Sequence, residues 1–317
     1  MIYQYSPNGT LIEVHKSTTL AAASIKCDES TIRKATNTIK LAKGFSWKSE
    51  PLDDTEIKNL PKILVLDIET APMLVHAWSC KTRWIPPDMI IRKGFCLTIA
   101  AKWLYAKNTM SMKLTPQEAI RGDDKALIEW AWKLLDEADI IIAHNGINFD
   151  IKKLQGRFLN YGLPPTSSFQ QIDTLKVARK EFLLDSNKLD EINKQLGIGR
   201  KIDTGGIKLW NDCVNGDPEA LQKMEEYNVG DVDILEETYF AMRSWIKSHP
   251  NLGVYMNSVS PVCSTCGSKE ITRIGNYMTN VSKFPEYRCM KCGSLVRGRK
   301  SELTKEDRDV LFIGEAR

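Results

Sequence analysis

Three short strings in this chain carry carboxylates at spacings that suit metal chemistry. Ile63-Leu64-Val65-Leu66-Asp67-Ile68-Glu69-Thr70 has the pattern of an apolar strand ending in two acids. Strand side chains alternate between faces, so Asp67 and Glu69, two apart, point the same way. Like charges held together raise each other's pKa, an unfavourable arrangement unless a cation sits between them. His144-Asn145-Gly146-Ile147-Asn148-Phe149-Asp150 follows a second apolar run and delivers a third carboxylate, Asp150. In Glu225-Glu226-Tyr227-Asn228-Val229-Gly230-Asp231-Val232-Asp233, Tyr227 and Asp231 are i and i+4, so on a helix they share a face. Hard divalent ions such as Mg²⁺ take oxygen from a few carboxylates, water and substrate phosphate. The set points to metal-dependent chemistry on a phosphodiester.

A second ligand set lies near the C-terminus. Cys263-Ser264-Thr265-Cys266 and Cys289-Met290-Lys291-Cys292 are two C-x-x-C knuckles with 22 residues between them. Gly267 and Gly293 each follow a second cysteine, where a tight knuckle needs a positive φ. Four thiolates at this spacing predict one tetrahedral sulfur site that favours Zn²⁺, with iron as the other occupant such sites accept. Protein would fill all four positions, so the ion would be structural. Arg273, Arg288, Lys291 and Arg297, with Tyr277 and Phe284 among them, suggest nucleic-acid contact, although a short solvated ribbon would also be basic.

The elements that must position these groups can be read from the patterns. Residues 62–69, 95–104, 109–114 and 139–143 are expected strands. Residues 116–137 are expected as one helix, followed by helices at 149–161 (closed by Gly162), 173–182, 188–196 and 218–246. At the N-terminus, Gly9-Thr10 reads as a turn. Ser17 and Ser30 are placed to cap two short helices separated by the turn Lys26-Cys27-Asp28-Glu29, a helix-turn-helix pattern. Residues 49–54 are polar and proline-punctuated, as in a linker.

Asp-x-Glu, then His-Asn-x-x-x-Phe-Asp, then Tyr-x-x-x-Asp resembles the DEDD exonuclease superfamily in its tyrosine-bearing branch. That branch is similar to the proofreading exonuclease domains of DNA polymerases, and the resemblance covers roughly residues 60–248. It implies an α/β ribonuclease H-like mixed sheet flanked by helices and 3′–5′ hydrolysis of nucleic acid, with DNA favoured and single strands or 3′ ends as substrate. Two Mg²⁺ or Mn²⁺ ions would be held by Asp67, Glu69, Asp150 and Asp231, with Asp67 bridging. Tyr227 would orient or help deprotonate the attacking water. Asp233 is a rival fourth ligand, but Val229, four residues earlier, cannot do the work of Tyr227. His144 reads either as a hydrogen-bonded structural histidine or as a positioning group, and Asp173 as the cap of the helix that follows it. Met73, Leu74 and Trp78 read either as core or as wedges between terminal bases. Residues 1–50, ending in Lys43-Gly44-Phe45-Ser46-Trp47, resemble the nuclease-associated modular DNA-binding repeats found beside phage homing endonucleases. Residues 261–300 resemble zinc ribbons.

Composition is compatible with this layout. The net charge of +4 divides into 7 Lys+Arg against 4 Asp+Glu in residues 1–50, 26 against 29 in the middle, and 11 against 7 in residues 251–317. Basic ends around an acidic middle suit polyanion-binding modules beside a cation-loaded core. No apolar run is long enough to span a bilayer and no signal peptide is visible, so the expectation is a cytoplasmic protein, with a phage protein in its host as the suspected setting. Replication or repair proteins are the expected partners. An endonuclease using the same carboxylates and a nucleic-acid-binding protein with a degenerate site are the competing readings.

Overall fold

The computed structural model describes residues 1–5, 11–36, 42–43, 45–49, 61–198, 204–256, 258 and 260–312. Two compact units emerge, Lys62–Ala241 and the combined Met1–Pro61 and Met242–Arg317.

The N-terminal segment contains β1 (Ile2–Tyr5), β2 (Leu11–His15), α1 (Thr18–Ser24), α2 (Glu29–Ala35) and β3 (Ser46–Lys48), with the strands in the antiparallel order β2-β1-β3. Trp47, Ile32, Ala21 and Ala22 form its small core. The Ser17 hydroxyl accepts from the Leu20 amide and caps α1 as expected. The expected cap at Ser30 is corrected: α2 starts at Glu29 with Asp28 at its N-cap, and Ser30 lies inside the helix. The hydroxyls of Thr18 and Thr19 donate to the Glu29 carboxylate. They fix that acid in the first turn, where the helix dipole favours negative charge. The sequence expectations for Gly9-Thr10 and for most of the linker fall outside the described residues.

The larger unit is a five-stranded mixed sheet with helices around it, a ribonuclease H-like fold and not a closed barrel. In chain order it contains β4 (Ile63–Thr70), β5 (Leu74–Val75), β6 (Ile90–Arg92), β7 (Cys96–Trp103), β8 (Met110–Lys113), α3 (Pro116–Arg121), α4 (Lys125–Glu137), β9 (Ile140–Ala143), α5 (Asp150–Asn160), β10 (Gln170–Asp173), α6 (Thr174–Glu181), α7 (Leu189–Leu196), α8 (Ile207–Val214) and α9 (Pro218–Met242). The sheet order is β10-β9-β4-β7-β8. β4 pairs parallel with β9 and antiparallel with β7, while β10 pairs parallel with β9. Ile63–Leu66 and Ile140–Ala143 are buried throughout, as central strands covered on both faces must be.

The single helix expected over 116–137 is two. Gly122 takes a left-handed φ of 66° and ends α3, and α4 starts again after Asp124. Asp124 is what holds the break. Its buried carboxylate accepts from the Cys96 amide at 2.8 Å and from the Tyr161 hydroxyl at 2.5 Å, and pairs with Arg157. The helix expected from 173 begins one residue later, because 170–173 is strand β10 and Asp173 is the N-cap. Helix α9 stops at Met242, and a 3₁₀ turn (Arg243–Trp245) follows.

Beyond it lie α10 (Leu252–Tyr255), the antiparallel ribbon β11 (Ile271–Met278), β12 (Lys283–Cys289) and β13 (Leu295–Arg297), and α11 (Lys305–Asp309). Among the described residues, no helix is long and apolar enough to cross a membrane.

Candidate functional site

Leu64, Leu66 and Ile68 of β4 point into the core cluster, so the alternation sends Asp67 and Glu69 to the opposite face at the strand's C-terminal end. Helix α9 brings Asp231 to them. Asp67, Glu69 and Asp231 each offer an oxygen within 4.8 Å of the others. Three carboxylates this close repel one another, and an oxygen-seeking divalent cation relieves the repulsion. The donor set fits Mg²⁺ or Mn²⁺.

Asp150 stands beside this group and is not a member of it. The parallel ladder between β4 and β9 ends at the pair Val65–Ile142. β9 then turns away through Asn145, whose φ is 69°. The Ile68 amide, left without a strand partner on that side, donates to Asp150 Oδ1 at 3.2 Å. The carboxylate therefore fills the gap between two parallel strand ends, the place where open α/β sheets hold ligands. Burial, reinforced by the nearby charge of Asp173, pushes the Asp150 carboxyl up to about 7. A divalent cation at this place would reverse that shift by favouring the ionised form.

Tyr227 is half-buried on α9, four residues before Asp231, and meets the Trp210 ring edge-on at 6.3 Å. Asp233, the rival ligand, is taken up elsewhere. It accepts from Lys102 Nζ at 2.9 Å and from the Thr109 hydroxyl at 2.6 Å, and Lys102 also pairs with Glu236 at 2.8 Å.

One residue at the site escaped the sequence reading. Asn228 is fully buried, and its Nδ2 donates to Asp67 Oδ2 at 2.6 Å. Its own Oδ1 accepts from the Thr98 hydroxyl at 3.4 Å, and Thr98 stands opposite Glu69 in the ladder. A signal existed: Asn228 lies three residues before Asp231, hence on the same helix face, in a helix interior that disfavours asparagine.

The loop after β9 is fixed by Asp173, which caps α6 as expected through Leu175 and Lys176. The same carboxylate accepts from the amides of Asn145 at 3.0 Å and Ile147 at 3.3 Å. His144 shares hydrogen bonds with the Thr174 hydroxyl at 2.9 Å and with the Asn187 carbonyl at 3.0 Å. Both ring nitrogens are thus engaged in holding the loop, which matches the structural reading of this histidine.

Cys263, Cys266, Cys289 and Cys292 bring their sulfurs within 4.8 Å of one another. The Cys263–Cys292 and Cys266–Cys289 sulfurs are 3.6 Å apart, far beyond the ~2 Å of a disulfide. A tetrahedron of ~2.3 Å metal–sulfur bonds has edges of about 3.8 Å, so the donor set fits a zinc ion. Two matching turns build it. The Gly267 amide donates to the Cys263 carbonyl and the Gly293 amide to the Cys289 carbonyl, with φ of 70° and 80° at the glycines.

Residues 93–242 match a family model described as the RNase_H superfamily. That span includes Asp150, Tyr227 and Asp231 and begins after Asp67 and Glu69. The chain is similar to the DNA polymerase III PolC-type of Ureaplasma parvum, at 25% identity over 153 residues. The match covers 48% of this chain and 10% of that relative. Among solved structures, the family B DNA polymerase of Pyrobaculum calidifontis superposes with a TM-score of 0.40 at 15% identity, over 77% of this chain and 35% of that one.

Proposed function

We propose that the chain is a metal-dependent nuclease that removes nucleotides from 3′ ends, with DNA as the favoured substrate. The observation that carries this reading is the convergence of Asp67, Glu69 and Asp231 at a strand end, with Asp150 in the adjoining gap. Similarity to the RNase_H superfamily and to a polymerase supports nucleic acid as substrate. Two divalent cations, when bound, would stabilise charge on the phosphoryl group and on the attacking and leaving oxygens. Asp67, Glu69 and Asp231 would hold one side of the site and Asp150 the other, with Asp67 shared. Asn228 keeps one oxygen of Asp67 in place. Tyr227 would orient the attacking water by a hydrogen bond at its phenol oxygen and so help its deprotonation, the proton passing to solvent. The four cysteines would hold one structural Zn²⁺, and the α1–α2 pair with its basic residues would contact DNA.

Digestion of single-stranded DNA and RNA, each labelled at the 5′ or the 3′ end, tests the reading. A 5′-labelled ladder shortening from the 3′ end, dependent on Mg²⁺ or Mn²⁺ and stronger on DNA, is the expected result. Cleavage of a circular strand would overturn the exonuclease assignment, and inertness with both metals would overturn the nuclease.

A further inference from the structure

Between Thr70 and Phe95 the chain leaves the sheet, and this excursion carries a concentration of exposed rings and cations. Its base is closed by the Ala71 amide donating to the Phe95 carbonyl at 2.8 Å. The close approach needs glycine at 94, since a Cβ there would lie 2.8 Å from the Ala71 carbonyl oxygen. From that base β5 and β6 pair antiparallel, and the His76 amide donates to the Met89 carbonyl at 2.9 Å. Ser79 shapes the tip, accepting from the Lys81 amide with its hydroxyl and from the Thr82 hydroxyl with its carbonyl. The excursion is therefore a fastened arm with a hydrogen-bonded tip.

Trp78 is 94% exposed and Trp84 is 70% exposed, and Met73, Leu74 and Ile91 are exposed as well. Large apolar side chains gathered on one exposed segment mark a binding surface. Their companions say what it binds. Lys81 and Arg83 stand between the two tryptophans in sequence, Arg92 and Lys93 lie on the returning limb, and Asp88 is the one acid in residues 71–94. Protein interfaces keep aromatic residues but are depleted in lysine. Rings interleaved with cations are the means by which proteins hold single-stranded nucleic acid, the rings stacking on bases while the cations follow the phosphates. A duplex hides its base faces in its own stack, so it offers these rings nothing.

We propose that residues 71–94 form an arm that grips single-stranded nucleic acid, with Trp78 and Trp84 stacking on unpaired bases and Lys81, Arg83 and Lys93 meeting the backbone. This rests on the nuclease reading for its substrate, and it adds a site outside the carboxylate cluster. The arm leaves the sheet after Thr70, the residue next to Glu69, so a strand held at its base would lie beside the carboxylates.

The test is binding of the full chain, its zinc left in place and no Mg²⁺ or Mn²⁺ supplied, to oligothymidylate, oligouridylate, an abasic strand of equal length and a duplex. The intact protein should bind a base-bearing strand more tightly than the abasic strand or the duplex, and the two homopolymers assign DNA or RNA. Trp78→Ala and Trp84→Ala should each weaken that binding roughly tenfold, while leaving affinity for the abasic strand and the melting temperature unchanged. Equal affinity of the intact protein for base-bearing and abasic strands would overturn the proposal. So would a double variant that binds oligothymidylate and oligouridylate as the intact protein does, or one that loses only self-association in light scattering. The two readings fail separately. Base-dependent binding in a protein inert with every metal removes the nuclease and keeps the arm. Unchanged strand binding by the double variant in an active enzyme removes the arm alone.

Discussion

Asn228 gives Asp67 a neutral donor, so the carboxylate is oriented without having its charge cancelled before a cation arrives. Asn228→Leu keeps the volume and removes that donor. Asp67 is half-buried, and losing one hydrogen bond to a charged group costs about 1.5–3 kcal/mol, so the melting temperature should fall, and the Mg²⁺ concentration giving half-maximal hydrolysis should rise. An unchanged Mg²⁺ dependence in a destabilised variant would reduce Asn228 to a packing residue. Tyr227 poses the complementary question, because its ring packs against Trp210 whatever its hydroxyl does. Tyr227→Phe preserves that packing and the carboxylates. If the hydroxyl helps deprotonate the attacking water, single-turnover rates should fall by roughly 10²–10⁴ with strand affinity and melting temperature unchanged. A fully active Tyr227→Phe protein would remove the tyrosine from the mechanism and leave the carboxylates in it.

At the scale of elements, the site depends on strands that end in register and on the turns that let them part. Asp124 shows how a polar residue remote from the site secures this. With no exposed surface it joins the α3–α4 break to β7 through Cys96 and to α5 through Arg157 and Tyr161. Arg157 keeps 19% of its side chain exposed, so the main cost of removing Asp124 is the buried Cys96 amide left without its acceptor, at about 1–3 kcal/mol. Asp124→Ala should therefore lower the melting temperature sharply, and Asp124→Asn less, because the amide still accepts from the Cys96 amide. Equal melting of both variants and the intact protein would show that the network adds no stability. Elements with strong local patterns were legible in the sequence: β4 and β9 as apolar runs, α9 by its helical spacing, the knuckles by their cysteines and glycines. Strand β10 was not, because Gln170-Gln171-Ile172-Asp173 has one apolar residue and becomes a strand only by pairing with β9. The α3–α4 break was missed for a similar reason, since Gly122 inside a helical pattern is ordinary until Asp124 finds partners far along the chain. Asp67 and Glu69 could be placed on one face from alternation alone. The position of Asp150 could not, because it depends on where β9 leaves β4.

For the whole molecule, the question is which parts depend on which ion. The carboxylate group lies within Lys62–Ala241, and the four cysteines lie outside that unit, in the ribbon that follows it. The chemistry of the two donor sets separates them further. Thiolates select a soft ion and hold it without an open position, whereas the carboxylates suit exchangeable Mg²⁺ or Mn²⁺. A ribbon this small has little apolar material of its own, for Ile274, Tyr277, Met278 and Leu295 are exposed, so its order should come from the metal, as in other small metal-held domains. Cys289→Ser should then reduce bound zinc from about one ion per chain to far less, and hydrogen exchange should quicken across β11–β13. The amides of β4, β7 and β9 should keep their protection, and hydrolysis of short oligonucleotides with Mg²⁺ should survive better than binding to long substrates. Elemental analysis beside exchange measurements decides the matter. Full zinc retention would count against the four-cysteine site. Loss of protection in the sheet together with the ribbon would show that the two units do not fold independently, and that one ion stabilises the whole chain.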